Sequence, residues 1–165
     1  MKPKPLLKQI RTWIVLFMIA LIISGITAFP VYSELQWIID SSVFPVNTRT
    51  GAWLMQVWKG VKDTQEKYPF LFYGFDWLAF AHLAIAVLFI GVYKHPVRNR
   101  WIIQWAMITC ISVVPLAFIA GFIRQIPLFH IFIDCSFGVI GLVPLLIVKR
   151  KIAILKTSYK VPASN

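Results

Sequence analysis

Two histidines and two carboxylates lie in or beside long apolar runs of this sequence, where polar side chains are rare. His130 and Asp134 are four residues apart, so on a helix they share one face. A carboxylate beside an imidazole fixes its tautomer and makes the other ring nitrogen the one that binds a ligand or transfers a proton. His82 lies inside another apolar run, six residues beyond Asp76. Because ionisable groups at membrane depth are costly and often functional, these residues are candidates for a site.

Arg124, at the end of a third apolar run, completes the candidate set. We predict a ligand-binding or proton-relay pocket in the outer half of a helical bundle. Its residues are Asp76, His82, Arg124, His130 and Asp134. A structural role is the alternative for the same residues. Acidic side chains favour helix N-termini and basic ones favour C-termini, and an ion pair from Arg124 to Asp76 or Asp134 would satisfy both charges. In that alternative, His82 donates to a backbone carbonyl.

Cofactor binding is a further alternative for the histidines. His82, His130 and Asp134 carry donor types that transition metals accept, and two histidines can be axial ligands of a haem. Their spacing matches no specific haem or metal motif, so the sequence leaves the cofactor unknown.

Motifs of enzyme active sites are missing from the sequence. It contains no GxGxxG, GxxxxGK[ST], GxSxG or HExxH pattern. We therefore assign no catalytic residue, and the sequence favours a protein without enzymatic activity.

The elements that must position these residues follow from composition. The chain has 165 residues, of which 59% are hydrophobic and 14% are charged. Soluble domains have about 45–50% apolar and about 25% charged residues. This composition excludes an ordinary cytosolic enzyme, a disordered chain and a secreted disulfide scaffold. It is typical of an integral membrane protein.

Four apolar runs are long enough to cross a hydrocarbon core, which takes about 20 residues. They cover about 12–31, 75–93, 101–123 and 129–148. We predict an all-α integral membrane protein, a four-transmembrane-helix bundle forming a single membrane domain over residues 1–165.

The basic residues predict the orientation of this bundle. The net charge is +11, but twelve of the 17 Lys and Arg residues fall in three segments without Asp or Glu, before the first run, between the second and third, and after the fourth. Such clusters mark cytoplasmic segments and can contact anionic headgroups. We therefore predict an inner-membrane protein with cytoplasmic termini, including a basic tail over 149–165, and no nucleic-acid partner.

The outer loop over 32–74 is the longest segment outside the four runs. Within Thr50–Lys67, Leu54, Val57, Trp58 and Val61 recur at helical spacing. Charged side chains occupy the opposite positions, a pattern that predicts an amphipathic helix lying on the membrane plane or against the end of the bundle.

Three functions are consistent with these observations. The first is a small non-enzymatic membrane protein that binds a ligand or partner through the outer-half pocket. The second is a membrane redox, metal or haem subunit that uses His82 and His130. The third is a proton-coupled carrier of small molecules. Besides the lipid bilayer, the expected partners are further copies of the chain or a larger membrane complex, and a carrier of four helices would have to act as an oligomer.

Overall fold

A computed structural model describes residues 3–160 of the chain. The described residues form helices joined by short turns, without a strand. In chain order the helices are α1 (Pro3–Ala28), α2 (Val31–Asp40), α3 (Arg49–Lys67), a 3₁₀ turn (Pro69–Phe72), α4 (Tyr73–Lys94), α5 (Arg100–Ile123) and α6 (Leu128–Lys160). The prediction of an all-helical chain is confirmed.

Four helical segments of the described chain are long and apolar enough to cross a membrane. They are Lys4–Ala28, Pro69–Lys94, Arg100–Ile123 and Leu128–Thr157. The shortest has 24 residues, more than the roughly 20 that a bilayer core requires. The prediction of four apolar helices is therefore confirmed.

The ends of the helices differ from the ends of the apolar runs. α1 begins at Pro3, before the predicted limit at residue 12. α6 continues to Lys160, so that Lys149, Arg150 and Lys151 lie on the helix rather than in a separate tail. Lys, Arg, Ala and Leu are good helix formers, and no Gly or Pro follows Pro144 until Pro162, so nothing in the sequence stops the helix at Val148.

The described chain forms two compact units. The hairpin unit comprises the described residues up to Ile19 and from Val87 onward, and the loop unit comprises Ala20–Ala86. In the hairpin unit, side chains such as Ile10, Phe89 and Ile103 are almost completely buried.

A tight turn joins α5 to α6 in the hairpin unit. Gln125 has a φ of 56°, and the N–H of Ile126 donates to the carbonyl of Gly121 at 2.9 Å. The N–H of Gln125 donates to the carbonyl of Phe122 at 3.3 Å. This pair of hydrogen bonds is the Schellman motif that ends many helices, here with Gln in the position that Gly usually occupies. It reverses the chain within a few residues and starts α6 beside the end of α5.

Glycines allow α5 and α6 to approach closely along their length. A Cβ at Gly121 would lie 2.5 Å from Cδ1 of Ile131, and a Cβ at Gly138 would lie 2.5 Å from the carbonyl oxygen of Cys110. Real Cβ atoms do not approach other atoms so closely. The missing side chains therefore set the spacing of the two helices.

The loop unit contains α2, α3, the 3₁₀ turn, and the adjoining parts of α1 and α4. Pro30 separates α1 from α2, since α1 ends at Ala28 and α2 begins at Val31. The hydroxyl oxygen of Thr48 accepts from the N–H of Gly51 at 3.0 Å and so caps the start of α3. Gly51 is required there, because any Cβ would overlap the carbonyl of Pro45.

Candidate functional site

His130 and Asp134 face each other on the first two turns of α6. Nε2 of His130 lies 3.9 Å from Oδ1 of Asp134, and the two side chains are 39% and 43% exposed. The spacing of four residues produces this contact, because residues i and i+4 are neighbours on a helix surface. The structure thus brings together two of the five predicted site residues, and both remain accessible.

Arg124 lies in the turn between α5 and α6, where its backbone N–H donates to the carbonyl of Ala120 at 2.9 Å. Its side chain is exposed. Among the described residues it forms no ion pair with Asp134, whose carboxylate lies 3.9 Å from Nε2 of His130. The structural alternative of an Arg124–Asp134 pair is therefore absent from this structure, and the guanidinium remains exposed beside the start of α6.

His82 lies in α4, on the face that carries the buried residues Ala79 and Ala86. Its side chain is half-buried. Nδ1 donates to the carbonyl oxygen of Leu78, one turn earlier, at 2.8 Å. A carbonyl only accepts, so the neutral ring carries its proton on Nδ1, and Nε2 becomes the acceptor. This bond agrees with the structural alternative, in which His82 donates to a backbone carbonyl, and it identifies the acceptor as the carbonyl of Leu78.

Asp76 lies in the first turn of α4, and its side chain is exposed. His82 is six positions further along the chain, which is about 9 Å along a helix axis. An acidic group in this position interacts favourably with the partial positive charge of the helix N-terminus. Asp76 therefore lies near the start of α4, and His82 lies nearly two turns further along the helix.

The five candidates belong to two different units. Asp76 and His82 belong to the loop unit, and Arg124, His130 and Asp134 belong to the hairpin unit. A single pocket formed by all five therefore stays a prediction.

The metal prediction has no new support. No group of three or more His, Cys, Asp or Glu side chains within residues 3–160 is placed to hold a metal ion. His82, His130 and Asp134 remain candidates by donor type alone.

The glycines that follow His130 and Asp134 along α6 have a packing role. Two functions fit small residues at Gly138 and Gly141: close contact between helices or space for a ligand. A Cβ at Gly141 would lie 3.2 Å from Sγ of Cys110, and the backbone of Cys110 approaches Gly138. The space beside these glycines is filled by α5, so a ligand would have to bind nearer the start of α6.

Comparisons with known proteins add no further constraint. The chain matches no protein-family model, no curated protein and no solved structure. The inference of function therefore rests on the geometry of these residues.

Proposed function

We propose that this chain is an integral protein of the cell's inner membrane, with α1, α4, α5 and α6 as its four spans. The exposed apolar side chains of these helices support this assignment. Ile123 is 72% exposed and Phe137 is 67% exposed, and many other large apolar side chains are exposed along the same helices. Water-soluble proteins rarely expose so large a continuous apolar surface, whereas lipid tails would solvate it.

The N-terminus and C-terminus face the cytoplasm in this proposal, and the segment from α2 to the 3₁₀ turn lies outside. Basic residues support this orientation. Three basic residues lie in the turn from α4 to α5 or at the helix ends beside it, namely Lys94, Arg98 and Arg100, whereas the turn from α5 to α6 contains only Arg124. Lys and Arg accumulate in cytoplasmic segments, which supports a cytoplasmic position for the first turn and an outer position for the second.

α3 lies in the outer membrane interface or against the end of the bundle, as an amphipathic helix. The side chains of Leu54, Val57 and Trp58 are partly buried on one face, whereas Lys59 and Asp63 are exposed. Nζ of Lys62 lies 5.1 Å from the ring centroid of Trp58, a cation–π contact that keeps the lysine beside the indole. An aromatic ring with an adjacent cation suits the boundary between headgroups and hydrocarbon.

The protein binds a ligand or a partner through polar side chains in its outer half and has no enzymatic activity of its own. The His130–Asp134 pair is the observation that carries this proposal. The two side chains are about two-fifths exposed in the first turns of α6, so a ligand or partner can reach them. An imidazole held beside a carboxylate can exchange a proton or form a hydrogen bond with a ligand. His82, with Nε2 as its acceptor, supplies a second polar group on α4.

Photocrosslinking in intact cells tests this function. Benzoylphenylalanine replaces Leu128, an exposed side chain two residues before His130. The matched control replaces Trp101, which is similarly exposed at the start of α5. We expect an adduct at position 128 that mass spectrometry identifies as a partner or ligand, and whose yield falls in the variant His130→Phe/Asp134→Asn. The proposal is wrong if position 128 yields only the lipid adducts obtained at position 101, with yields unchanged in the variant.

The absorption spectrum of the purified protein, with metal analysis of the same sample, separates this function from a redox role. A colourless, metal-free protein is the expected result. A Soret band or stoichiometric metal that disappears in His82→Ala would replace the proposal with a haem or metal subunit.

A further inference from the structure

A basic groove runs along the first half of α1 in the hairpin unit. It encloses about 590 Å³. Three cations line it, Lys4, Lys8 and Arg11, at intervals of four and three residues that place them on one face of the helix. An anion bound in the groove would offset the repulsion among these three like charges.

Arg11 is fixed in the wall of the groove by α4. Its Nε donates to the carbonyl oxygen of Tyr93 at 3.2 Å. Its guanidinium carbon also lies 5.2 Å from the centroid of the Tyr93 ring, which is a cation–π contact. These contacts use one N–H of the five that a guanidinium carries. Arg11 is thus already positioned and can still donate to an anion in the groove.

The wall of the groove changes from charged to apolar along α1. Beyond the cations the wall is formed by Val15 and Leu16. Leu7, between Lys4 and Lys8 in the sequence, also lines the groove. Leu16 is twelve residues from Lys4, which is about 18 Å along the helix axis. One wall therefore offers cations at one end and an aliphatic surface at the other.

No acidic residue lies close in sequence to the residues that line the groove. Asp134 is the only Asp or Glu in the segments that form the hairpin unit, and it lies in the first turns of α6, 15 residues before Lys149. Lys149, Arg150 and Lys151 lie near the other end of α6. Nζ of Lys151 donates to Oε1 of Gln9 at 2.6 Å, which places this basic part of α6 beside the start of α1. The groove thus lies in a region of concentrated positive charge.

We propose that this groove binds one anionic phospholipid from the cytoplasmic leaflet. The phosphate lies against Lys4, Lys8 and Arg11, and one acyl chain follows Leu7, Val15 and Leu16. Charge complementarity identifies the ligand as anionic, since basic groups at a membrane surface attract anionic lipids. The aliphatic continuation identifies it as a lipid rather than a free phosphate. The inference rests on the proposed insertion into the membrane but not on the outer polar residues.

Native mass spectrometry of the full chain in detergent micelles tests this site. Phosphatidylglycerol and phosphatidylcholine with identical acyl chains serve as the two probes. We expect preferential retention of one phosphatidylglycerol. The variant Lys4→Gln/Lys8→Gln should weaken this binding by about tenfold or more, as expected when two cations near an anionic lipid are removed.

A matched control distinguishes binding in the groove from nonspecific attraction of the lipid to the positive charge of the protein. Arg98→Gln/Arg150→Gln also removes two cations, from exposed positions outside the groove, and should leave the binding of phosphatidylglycerol nearly unchanged. Equal losses in both double variants would overturn the proposal, and so would equal retention of the two lipids by the wild type. Displacement of the lipid by inorganic phosphate would also overturn it, because the site would then bind the phosphate group without the acyl chain.

Flotation of the wild type with liposomes after alkaline extraction tests membrane insertion separately from lipid binding in the groove. A protein that floats but shows no preference for phosphatidylglycerol contradicts the groove alone. A protein that does not float contradicts both the insertion and the groove.

Discussion

His82 and His130 are held by different kinds of partner, and this difference determines what each can do. His82 donates to the carbonyl of Leu78 in its own helix, so its tautomer is fixed by the backbone. His130 lies beside the carboxylate of Asp134, so its surroundings depend on a charged side chain. A single substitution can therefore change the electrostatics of His130 without touching the backbone bond of His82.

Replacing Asp134 with Asn should change the imidazole signals of His130. The substitution removes the negative charge 3.9 Å from Nε2 while keeping the size of the side chain. The chain has three histidines, so ¹⁵N spectra of histidine-labelled protein contain few signals, which single substitutions assign. We expect the His130 signals to move and those of His82 to stay.

Asp63→Asn is the matched control, because it neutralises an exposed acidic group of α3 that is not one of the candidate site residues. It should leave the His130 signals in place. Unchanged His130 signals in Asp134→Asn would show that the pair does not form in solution.

The local part of the candidate site could be predicted from the sequence, and the rest could not. His130 and Asp134 meet because the geometry of one helix fixes the i, i+4 relation. A pocket that also includes His82 depends on which helices are neighbours, and the periodicity of a single helix does not encode this. The contact of Arg11 with Tyr93 joins residues 82 positions apart, so the basic segment at the N-terminus predicted orientation but not a groove.

At the scale of elements, the close contact of α5 and α6 depends on residues without side chains. Gly138 contacts the backbone carbonyl of Cys110, which cannot move as a flexible side chain can. Sequence patterns show that small residues lie on this face of α6 but not what fills the space beside them. In the structure it is filled by α5.

Gly138→Ala should destabilise the packing of these two helices. Its Cβ would lie 2.5 Å from the Cys110 carbonyl oxygen and 3.2 Å from Cβ of Val113, so the helices would have to separate. We expect the free energy of unfolding in detergent micelles to fall by about 1–3 kcal/mol, the usual cost of overpacking.

Gly60→Ala in α3 is the control for this substitution. Apart from its chain neighbours and the backbone of its own helix, nothing in the described chain lies within 4 Å of a Cβ built at Gly60. Ala is also the better helix former by about 1 kcal/mol. Gly60→Ala should therefore keep or raise the stability. If both variants had the same stability as the wild type, the close approach of α5 and α6 would be wrong.

The proposed contact of the apolar face of α3 with the membrane or the bundle can also be tested. Leu54→Asp/Trp58→Asp places two charges on its partly buried face, which should weaken its contact with the membrane or bundle. Trypsin added from the outer side should then cleave faster at Lys59, Lys62 and Lys67, with the number of spans unchanged.

Gln56→Asp/Gln65→Asp adds the same two charges at exposed positions of α3 and should leave the cleavage rate near that of the wild type. Equal rates in both variants and in the wild type would mean that the apolar face of α3 is already in water.

At the scale of the whole molecule, the sequence predicted the number of long helices but not all of their ends. Bilayer thickness requires about 20 apolar residues per span, and this requirement leaves a clear hydropathy signal. The helical ends have no such signal, because α1 and α6 extend into basic segments that form helix equally well. Hydropathy therefore marks the apolar part of each helix, and α1 and α6 continue beyond it into basic residues.

The central claim is a four-span membrane protein with both termini in the cytoplasm. Fusions to a reporter that is active only outside the cytoplasm test it most directly, with one junction at Asn47, between α2 and α3, and the other at Asn165. The account predicts an active reporter at Asn47 and an inactive one at Asn165, with the reverse pattern for a reporter that works only in the cytoplasm. A fusion at Asn47 that reads as cytoplasmic would contradict the whole arrangement.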